Sequence, residues 1–125
     1  MGNVIDIGTD IIEIERIRSG HKRYGAAFLE RIFTPGEMEY CHRFSDPHPH
    51  IAVRFAAKEA VIKAITTLWN KPISWHNISI HNLPSGKPEV VFGLPIAEAL
   101  KEYKILITLS HSREYATATA ILIKQ

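Results

Sequence analysis

One helical segment decides the fold of this chain: Arg54-Phe55-Ala56-Ala57-Lys58-Glu59-Ala60-Val61-Ile62-Lys63-Ala64. Arg54 and Lys58 are four residues apart, as are Glu59 and Lys63, so each pair shares one face of a helix. The side that should pack in a core is marked by Ile51, Phe55, Ile62, Ile65 and Trp69. Three cations and a carboxylate on such a helix could hold a polyanion together with a metal ion. They could equally form a solvated stripe with one salt bridge, worth only about 0.2–0.5 kcal/mol.

The length and composition indicate one ordinary globular domain. A chain of 125 residues fits a single domain, 1–125, and 46% hydrophobic with 22% charged residues is typical of such a domain. No stretch approaches the roughly 18–20 apolar residues that a membrane span needs, so we expect no membrane partner. The net charge of +2 permits an anionic ligand or an acidic protein without requiring nucleic acid.

The cysteine content and the first residues bear on the compartment. Cys41 is the single cysteine, which excludes an intrachain disulfide. Residues 1–6 lack a basic segment followed by an apolar one, so we expect no secretory signal. Both observations favour a reducing, cytoplasmic location.

The first half of the chain reads mainly as helices. A short strand at 4–7 should end in a bend at Gly8-Thr9-Asp10, and helices should follow at 11–23 and 26–33. Thr34, Pro35 and Glu37 supply an N-cap, a first-turn proline and a capping box for a helix that runs to about Phe44. Residues 45–50 should interrupt it, and the long helix is predicted over 51–68 or 69.

The second half reads mainly as strands. Residues 76–82 and 89–92 should pair as a hairpin, a short helix is expected at 94–103, and strands are expected at 105–111 and 116–123. Ala116, Ala118 and Ala120 share one face of the last strand, where a helix or another subunit could approach closely. The predicted fold class is α+β, with an antiparallel sheet packed on the long helix.

Asp10 is a candidate metal ligand. It follows the first strand and a glycine, so its carboxylate could lie at the edge of the sheet. Mg²⁺ is often held by one or two carboxylates plus substrate phosphates, which Asp10 and Glu59 could supply together. A turn or N-cap role for Asp10 is the alternative.

Two further features could meet a phosphate. His111 ends a predicted strand on the face of Ile105, Ile107 and Leu109, where it could bind a phosphate or have a structural role only. The turn Ser85-Gly86-Lys87-Pro88 combines a glycine, which allows close backbone approach, with a cation. As a hairpin turn it needs no ligand. Spacing typical of a zinc site, a serine-nucleophile elbow or a nucleotide-binding glycine loop is absent from the sequence.

These motifs together resemble the holo-acyl-carrier-protein synthases, the short-chain branch of the 4′-phosphopantetheinyl transferases. The resemblance is carried in chain order by 8–17, by 54–64, by Gly86-Lys87-Pro88 and by 109–116. It covers essentially the whole chain, and it implies the 4′-phosphopantetheinyl transferase fold. The implied reaction moves the phosphopantetheine arm of coenzyme A to a serine of acyl carrier protein, in fatty acid biosynthesis, and releases adenosine 3′,5′-bisphosphate.

The resemblance also implies roles for individual residues. Asp10 and Glu59 would be Mg²⁺ ligands and Lys63 would contact phosphate, which makes these three the expected catalytic residues. Coenzyme A contacts are implied for Arg54, Lys58, Lys63, Ser85, Gly86, Lys87, Pro88 and His111. The basic residues Arg16, Arg18, Lys22, Arg23 and Arg31 would dock the acidic carrier protein. Glu39 is a further candidate for activating the serine, directly or through water.

The resemblance further implies a homotrimer with active sites at the subunit interfaces. The sequence departs from the family pattern in two places. Residues 65–70 stand where the family commonly has a glycine-containing loop near the adenine, and Ser85 stands where asparagine or aspartate is common.

Two other functions compete with this hypothesis. The basic N-terminal segment could belong to a non-catalytic module that binds an acidic protein or nucleic acid, although the aromatic residues typical of single-strand binders are not interleaved with it. A small metal-dependent phosphohydrolase is the third interpretation.

Overall fold

The computed structural model describes residues 3–125, so residues 1 and 2 of the predicted domain lie outside the described part. It contains five strands, five α-helices and one 3₁₀ turn. In chain order they are β1 (Val4–Glu13), α1 (Ile14–Tyr24), α2 (Ala26–Ile32), α3 (Pro35–Cys41), α4 (His48–Ile65), the 3₁₀ turn (Trp75–Asn77), β2 (Ile78–Asn82), β3 (Pro88–Phe92), α5 (Ile96–Ala99), β4 (Tyr103–His111) and β5 (Tyr115–Lys124).

The strands form two antiparallel units. β1, β5 and β4 form a three-stranded sheet in that order, and β2 pairs with β3 as a hairpin. Helix α4 packs against one face of the three-stranded sheet and supplies the centre of the hydrophobic core. The predicted fold class, α+β with an antiparallel sheet on a long helix, is confirmed. Within residues 3–125, no helix combines the length and the apolar character that crossing a bilayer requires.

Small residues on both partners let α4 lie close to the sheet. Ala116, Ala118 and Ala120 of β5 are fully buried, and α4 faces them with buried alanines of its own, Ala56, Ala57, Ala60 and Ala64. Of the two neighbours that the sequence allowed for the alanine face of β5, the helix is the one present.

Gly8 corrects the prediction of a bend at residues 8–10. Strand β1 continues through Gly8 to Glu13, in register with β5 at Gly8↔Ala120 and Asp10↔Ala118. A Cβ at Gly8 would overlap the Ala60 carbonyl oxygen and lie 2.9 Å from the Ala64 nitrogen. The glycine is therefore needed for close helix packing and not for a turn.

The ends of the helices differ from prediction where prolines and short segments occur. The capping box at Thr34 is present, but α3 ends at Cys41 and not near Phe44. Helix α4 begins at His48 and not at Ile51, because Pro49 in its first turn loses no helical hydrogen bond. It ends at Ile65, and α5 occupies only Ile96–Ala99 of the predicted 94–103.

The face of the sheet that points away from α4 is apolar and open. Ile7 and Ile11 of β1 are 61% and 66% exposed. Across the sheet, Ile7 is in register with Ile121, which is in register with Leu106. On this outer face an apolar patch lies among threonines and Lys104, and it is formed by Ile7, Ile11, Leu106, Ile121 and Ile123.

Candidate active site

Asp10 and Lys63 meet at the edge where β1 crosses α4. Asp10 lies two residues after Gly8 on β1, so its side chain is on the face that packs against the helix. Lys63 Nζ lies 3.3 Å from Asp10 Oδ1 and donates a hydrogen bond of 2.9 Å to the Thr9 carbonyl oxygen. The Asp10 carboxylate is the better shielded partner, with 19% of its side chain exposed against 54% for Lys63.

Glu59 lies one helical turn before Lys63 and completes this group, which we call the acidic cluster (Asp10, Glu59 and Lys63). Partial burial raises the pKa of the Glu59 carboxyl, the nearby Asp10 carboxylate raises it further, and the Lys63 ammonium opposes the rise. Two carboxylates that repel each other form a site where a divalent cation would relieve the repulsion. No group of three or more His, Cys, Asp or Glu in residues 3–125 is placed to hold a metal, so the protein's own contribution would be these two carboxylates.

The prediction that Lys58 contacts the ligand is wrong. Its side chain is fully buried, and Nζ lies 2.8 Å from Glu37 Oε1. It also donates to the carbonyl oxygens of Ile32 at 2.8 Å and Trp75 at 3.1 Å. All three donors of the ammonium are therefore used inside the protein. Burial lowers the pKa of Lys58, and the Glu37 carboxylate opposes that effect.

Glu37 is a residue whose second role the sequence did not reveal. Its Oε1 accepts the Thr34 N–H at 2.8 Å, as the capping box predicts, while Oε2 accepts the Ile80 N–H of β2 at 2.8 Å. The pair with Lys58 thus connects α3, β2 and α4 in the core. The capping-box signal identified Glu37, but only tertiary contacts reveal its other partners.

Arg54 lines a cleft of about 450 Å³ between α4, the β2–β3 turn and β4. Its Nη1 donates to the His50 carbonyl oxygen at 3.1 Å, and its Nη2 donates to Asn82 Oδ1. The guanidinium also lies 4.3 Å from the centre of the Tyr40 ring. Arg54 is only 2% exposed and its buried Nε has no hydrogen-bond partner among residues 3–125. An unsatisfied, buried donor beside a cleft is suited to an anionic oxygen of a ligand.

The predicted turn contributes part of the lining of the same cleft, which we call the Arg54 cleft. Gly86, Lys87 and Pro88 line it. Gly86 adopts a φ of 91°, which favours glycine, and its N–H donates to the Leu83 carbonyl oxygen at 2.7 Å. Ser85 has no place in the cleft lining, and its Oγ accepts the Lys87 N–H at 3.4 Å. Ser85 therefore shapes the turn.

His111 lies at the exposed end of β4, on the face that α4 covers. Its ring centre is 5.4 Å from that of His50 in an edge-to-face arrangement. His50 lines the Arg54 cleft, which places His111 next to the cleft. His50, Tyr40 and Asn82 are cleft residues that the sequence did not indicate, because each depends on where the hairpin docks.

The predicted site residues fall into two groups at opposite edges of the three-stranded sheet. Asp10 on β1, Ala118 on β5 and Leu109 on β4 are in one register row, so two strand spacings, about 10 Å, separate the two edges. On α4, Arg54 and Glu59 are five residues apart, which corresponds to about 140° of rotation. Among residues 3–125, Asp10, Glu59 and Lys63 are therefore not part of the lining of the Arg54 cleft.

The predicted docking residues lie on α1 and α2. Arg16, Lys22, Arg23 and Arg31 are exposed. Arg18 differs, because its guanidinium contacts Asp46 at 2.8 Å and Glu15 at 3.4 Å. Glu39 is 77% exposed on α3 and lies 3.7 Å from Arg43.

Comparison with known proteins identifies the family. A family model described as the 4′-phosphopantetheinyl transferase superfamily matches residues 6–120. The chain belongs to this superfamily. The resemblance seen in the sequence is therefore confirmed, and with it the assignment of the chain as a phosphopantetheinyl transferase.

Individual relatives are similar to this chain in sequence and structure over nearly its whole length. A holo-[acyl-carrier-protein] synthase of Chlamydia muridarum is 50% identical over 115 residues, which is 92% of this chain and 91% of that protein. The crystal structure of the synthase from Neisseria meningitidis is 34% identical, with a TM-score of 0.86 over 97% of this chain and 99% of that chain. The Helicobacter pylori synthase in complex with coenzyme A is 31% identical, with a TM-score of 0.82 over 93% and 98%.

Proposed function

We propose that this protein transfers the 4′-phosphopantetheine group of coenzyme A to a serine hydroxyl of apo-acyl carrier protein. The products are holo-acyl carrier protein and adenosine 3′,5′-bisphosphate. The family membership, the synthase relatives and the coenzyme A complex of the Helicobacter pylori relative support this proposal. In this reaction the serine oxygen forms a bond to the β-phosphorus while the bond to the bridging oxygen of the leaving nucleotide breaks.

The observation that carries the proposal is the acidic cluster at the crossing of β1 and α4. Transfer at a pyrophosphate depends mainly on positioning and on neutralising negative charge. Asp10 and Glu59 would hold Mg²⁺, which when bound supplies that neutralisation. Lys63 is held against β1 by the Thr9 carbonyl, so its ammonium is positioned to contact a phosphate oxygen as charge moves to the leaving group.

The Arg54 cleft is the proposed position of the coenzyme's nucleotide part. Arg54 and Lys87 provide cationic groups there, and Gly86 and Pro88 form the adjacent wall. His111 adjoins the cleft through its contact with His50. The Arg54 Nε supports this placement, because it is a spare donor, without a partner among residues 3–125, on a residue that lines the cleft.

A homotrimer would bring the two half-sites together. We propose that the acidic cluster of one subunit faces the Arg54 cleft of its neighbour, and that the apolar outer face of the sheet is buried at the subunit contacts. The separation of the half-sites and the exposure of Ile7 and Ile11 support this arrangement. A head-to-tail contact closes into a three-membered ring when neighbouring subunits are related by a rotation of about 120°.

The exposed cations of α1 and α2 are the proposed docking surface for the acidic carrier protein. Charge complementarity there would mainly speed and orient encounter. Arg16, Lys22, Arg23 and Arg31 are available for it, whereas Arg18 is already paired. The cytoplasmic location remains a prediction from the sequence.

Mass spectrometry of the carrier protein tests the proposed function. The protein is incubated with Mg²⁺, coenzyme A and apo-acyl carrier protein, and the carrier should become heavier by one phosphopantetheine. Chelation of the metal, Asp10→Asn and Glu59→Gln should each abolish the shift, while the matched surface change Glu98→Gln should not. An unmodified carrier would contradict the proposal. Nucleotide release without a carrier would favour a phosphohydrolase, and carrier binding that ignores coenzyme A and metal would favour a binding module.

A further inference from the structure

A continuous row of aromatic rings links Arg54 to His111. Arg54 lies over Tyr40, and Tyr40 meets Phe44 edge to face with ring centres 5.5 Å apart. Phe44 stacks flat on His50 with centres 3.5 Å apart and an angle of 14° between the planes. His50 then contacts His111. The ring of His50 is therefore fixed between Phe44 on one side and His111 on the other.

His50 also belongs to the wall of the Arg54 cleft, and its backbone carbonyl holds Arg54 Nη1. Its hydrogen-bonding nitrogens have no partner among the side-chain hydrogen bonds of residues 3–125. An imidazole fixed by stacking, facing a cleft and left without a partner is placed to donate to a ligand.

The charges around His50 come from several elements. His111 of β4 and Arg54 of α4 lie beside it, Asp46 precedes it in the loop before α4, and Lys87 and Tyr40 line the same cleft. Arg54 and Lys87 are cationic, and the Asp46 carboxylate is the only acidic group among them. Burial lowers the pKa of His50, and His111 and Arg54 lower it further, while Asp46 opposes the shift. The free protein thus holds this imidazole neutral at a pH where a free histidine would be partly charged.

We propose that His50 is a further residue of the coenzyme site and takes up a proton from solvent when the coenzyme's phosphates enter the Arg54 cleft. The inference rests on the proposed placement of the coenzyme in that cleft. A polyanion would offset the repulsion from Arg54 and His111, so the imidazolium becomes favourable only in the complex. Binding and protonation are then linked, and affinity for the coenzyme rises as the pH falls.

The matched variants are His50→Phe and His50→Ala. His50→Phe keeps a flat ring on Phe44 but cannot be protonated, whereas His50→Ala removes both the ring and the group that takes up a proton. His42→Phe is the control, because His42 is an exposed histidine that does not line the Arg54 cleft. Thermal unfolding of each variant checks that it is folded before binding is measured.

Isothermal titration calorimetry with coenzyme A, at pH 6 in two buffers of different ionisation enthalpy, counts the protons exchanged per site. The 3′-phosphate of coenzyme A also titrates near this pH, so the difference between proteins is the informative quantity. Wild type and His42→Phe should take up about half a proton more than His50→Phe. Between pH 7.5 and 5.5 the wild-type affinity should gain roughly 3–10-fold relative to His50→Phe.

The outcomes separate the role of His50 from the site itself. Normal coenzyme A binding with equal proton uptake in wild type and His50→Phe would overturn the role of His50 and leave the cleft in place. Loss of affinity only in His50→Ala, with no pH effect, would also overturn it, because stacking alone would then explain the residue. Failure of wild-type protein to bind coenzyme A, or binding unaffected by Lys87→Ala, would overturn the coenzyme cleft and this proposal with it.

Discussion

Gly8 of β1 lies directly under Ala60 of α4, so close that a single methyl group on Gly8 would overlap the Ala60 carbonyl oxygen. The same contact puts Asp10, two residues further along β1, beside Lys63 and Glu59, which flank Ala60 on the helix. The spacing of strand and helix therefore sets the geometry of the acidic cluster.

Gly8→Ala should destabilise the protein by about 1–3 kcal/mol or more, because backbone atoms of α4 must move to admit the methyl group. Activity should fall more than stability explains, since the movement separates Asp10 from Glu59. Urea unfolding and the carrier-modification rate measure the two effects. Gly36→Ala is the matched control, because a Cβ at that helical glycine meets nothing within 4 Å. Equal behaviour of the two variants would contradict the packing argument.

Removing one member of the buried Glu37–Lys58 pair should cost about 3–5 kcal/mol, because the other charge is left in the core without its partner. Lys58→Met and Glu37→Gln test this by urea unfolding. The double variant should lose less than the sum of the two single changes. Lys101→Met, which breaks an exposed pair with Glu98, should change stability by less than about 0.5 kcal/mol. A small loss in Lys58→Met would mean that water reaches the pair.

Glu59→Gln should stabilise the metal-free protein slightly while abolishing activity. The pKa of Glu59 is higher in the folded protein than in the unfolded chain, so the folded state binds this proton more tightly. The stability that the protonated carboxyl contributes is therefore lost as the pH rises through that pKa. The amide of Glu59→Gln stays neutral, so this variant does not lose that stability. Thermal unfolding without metal should show a Tm increase for Glu59→Gln that is present at pH 7 and fades toward pH 4. A lower Tm at pH 7 would show that Glu59 makes stabilising contacts instead.

Activity should also fall as the pH is lowered through the raised pKa of Glu59, because a protonated carboxyl is a poor metal ligand. Asp10→Glu keeps the negative charge near Glu59 but lengthens the side chain, so it tests how the repulsion between the two carboxylates depends on their distance. Calorimetry of metal binding at several pH values measures the protonation of Glu59 without relying on turnover.

Charge reversal at Arg16 should weaken carrier docking more than the same change at Arg18. Arg16 is exposed, whereas Arg18 contacts Asp46 and Glu15. Arg16→Glu should raise KM for the carrier by roughly 3–10-fold with little change in kcat, and the effect should shrink at high salt. Lys101→Glu, an exposed position outside α1 and α2, serves as a charge-matched control. A larger effect at Arg18 would mean that its contact with Asp46 breaks when the carrier binds.

The elements defined by local signals were predictable. The periodicity of 54–64 gives helix α4, and Thr34 with Glu37 gives the start of α3, because these signals act within one or two turns. Gly8 was misinterpreted because a glycine that permits a bend and a glycine that permits close packing look the same in sequence. Only the position of α4 distinguishes them.

Lys58 shows why the site was harder to predict than the fold. Helical spacing correctly groups it with Arg54, but spacing does not reveal that α3 and the 3₁₀ turn cover one residue and leave the other beside a cleft. The Arg54 cleft depends on how the β2–β3 hairpin docks against β4. That is a long-range contact, so His50, Tyr40 and Asn82 carry no local signal.

The placement of the two half-sites on opposite edges of one sheet has a genetic consequence. In the proposed ring, a chain with a damaged acidic cluster still offers an intact Arg54 cleft to its neighbour. Asp10→Asn, which should be inactive, and Lys87→Ala, which should bind coenzyme A weakly, should therefore complement each other when unfolded and refolded together. A mixed ring would contain some sites assembled from two undamaged halves. Two defective alleles could then sustain a function that neither supports alone.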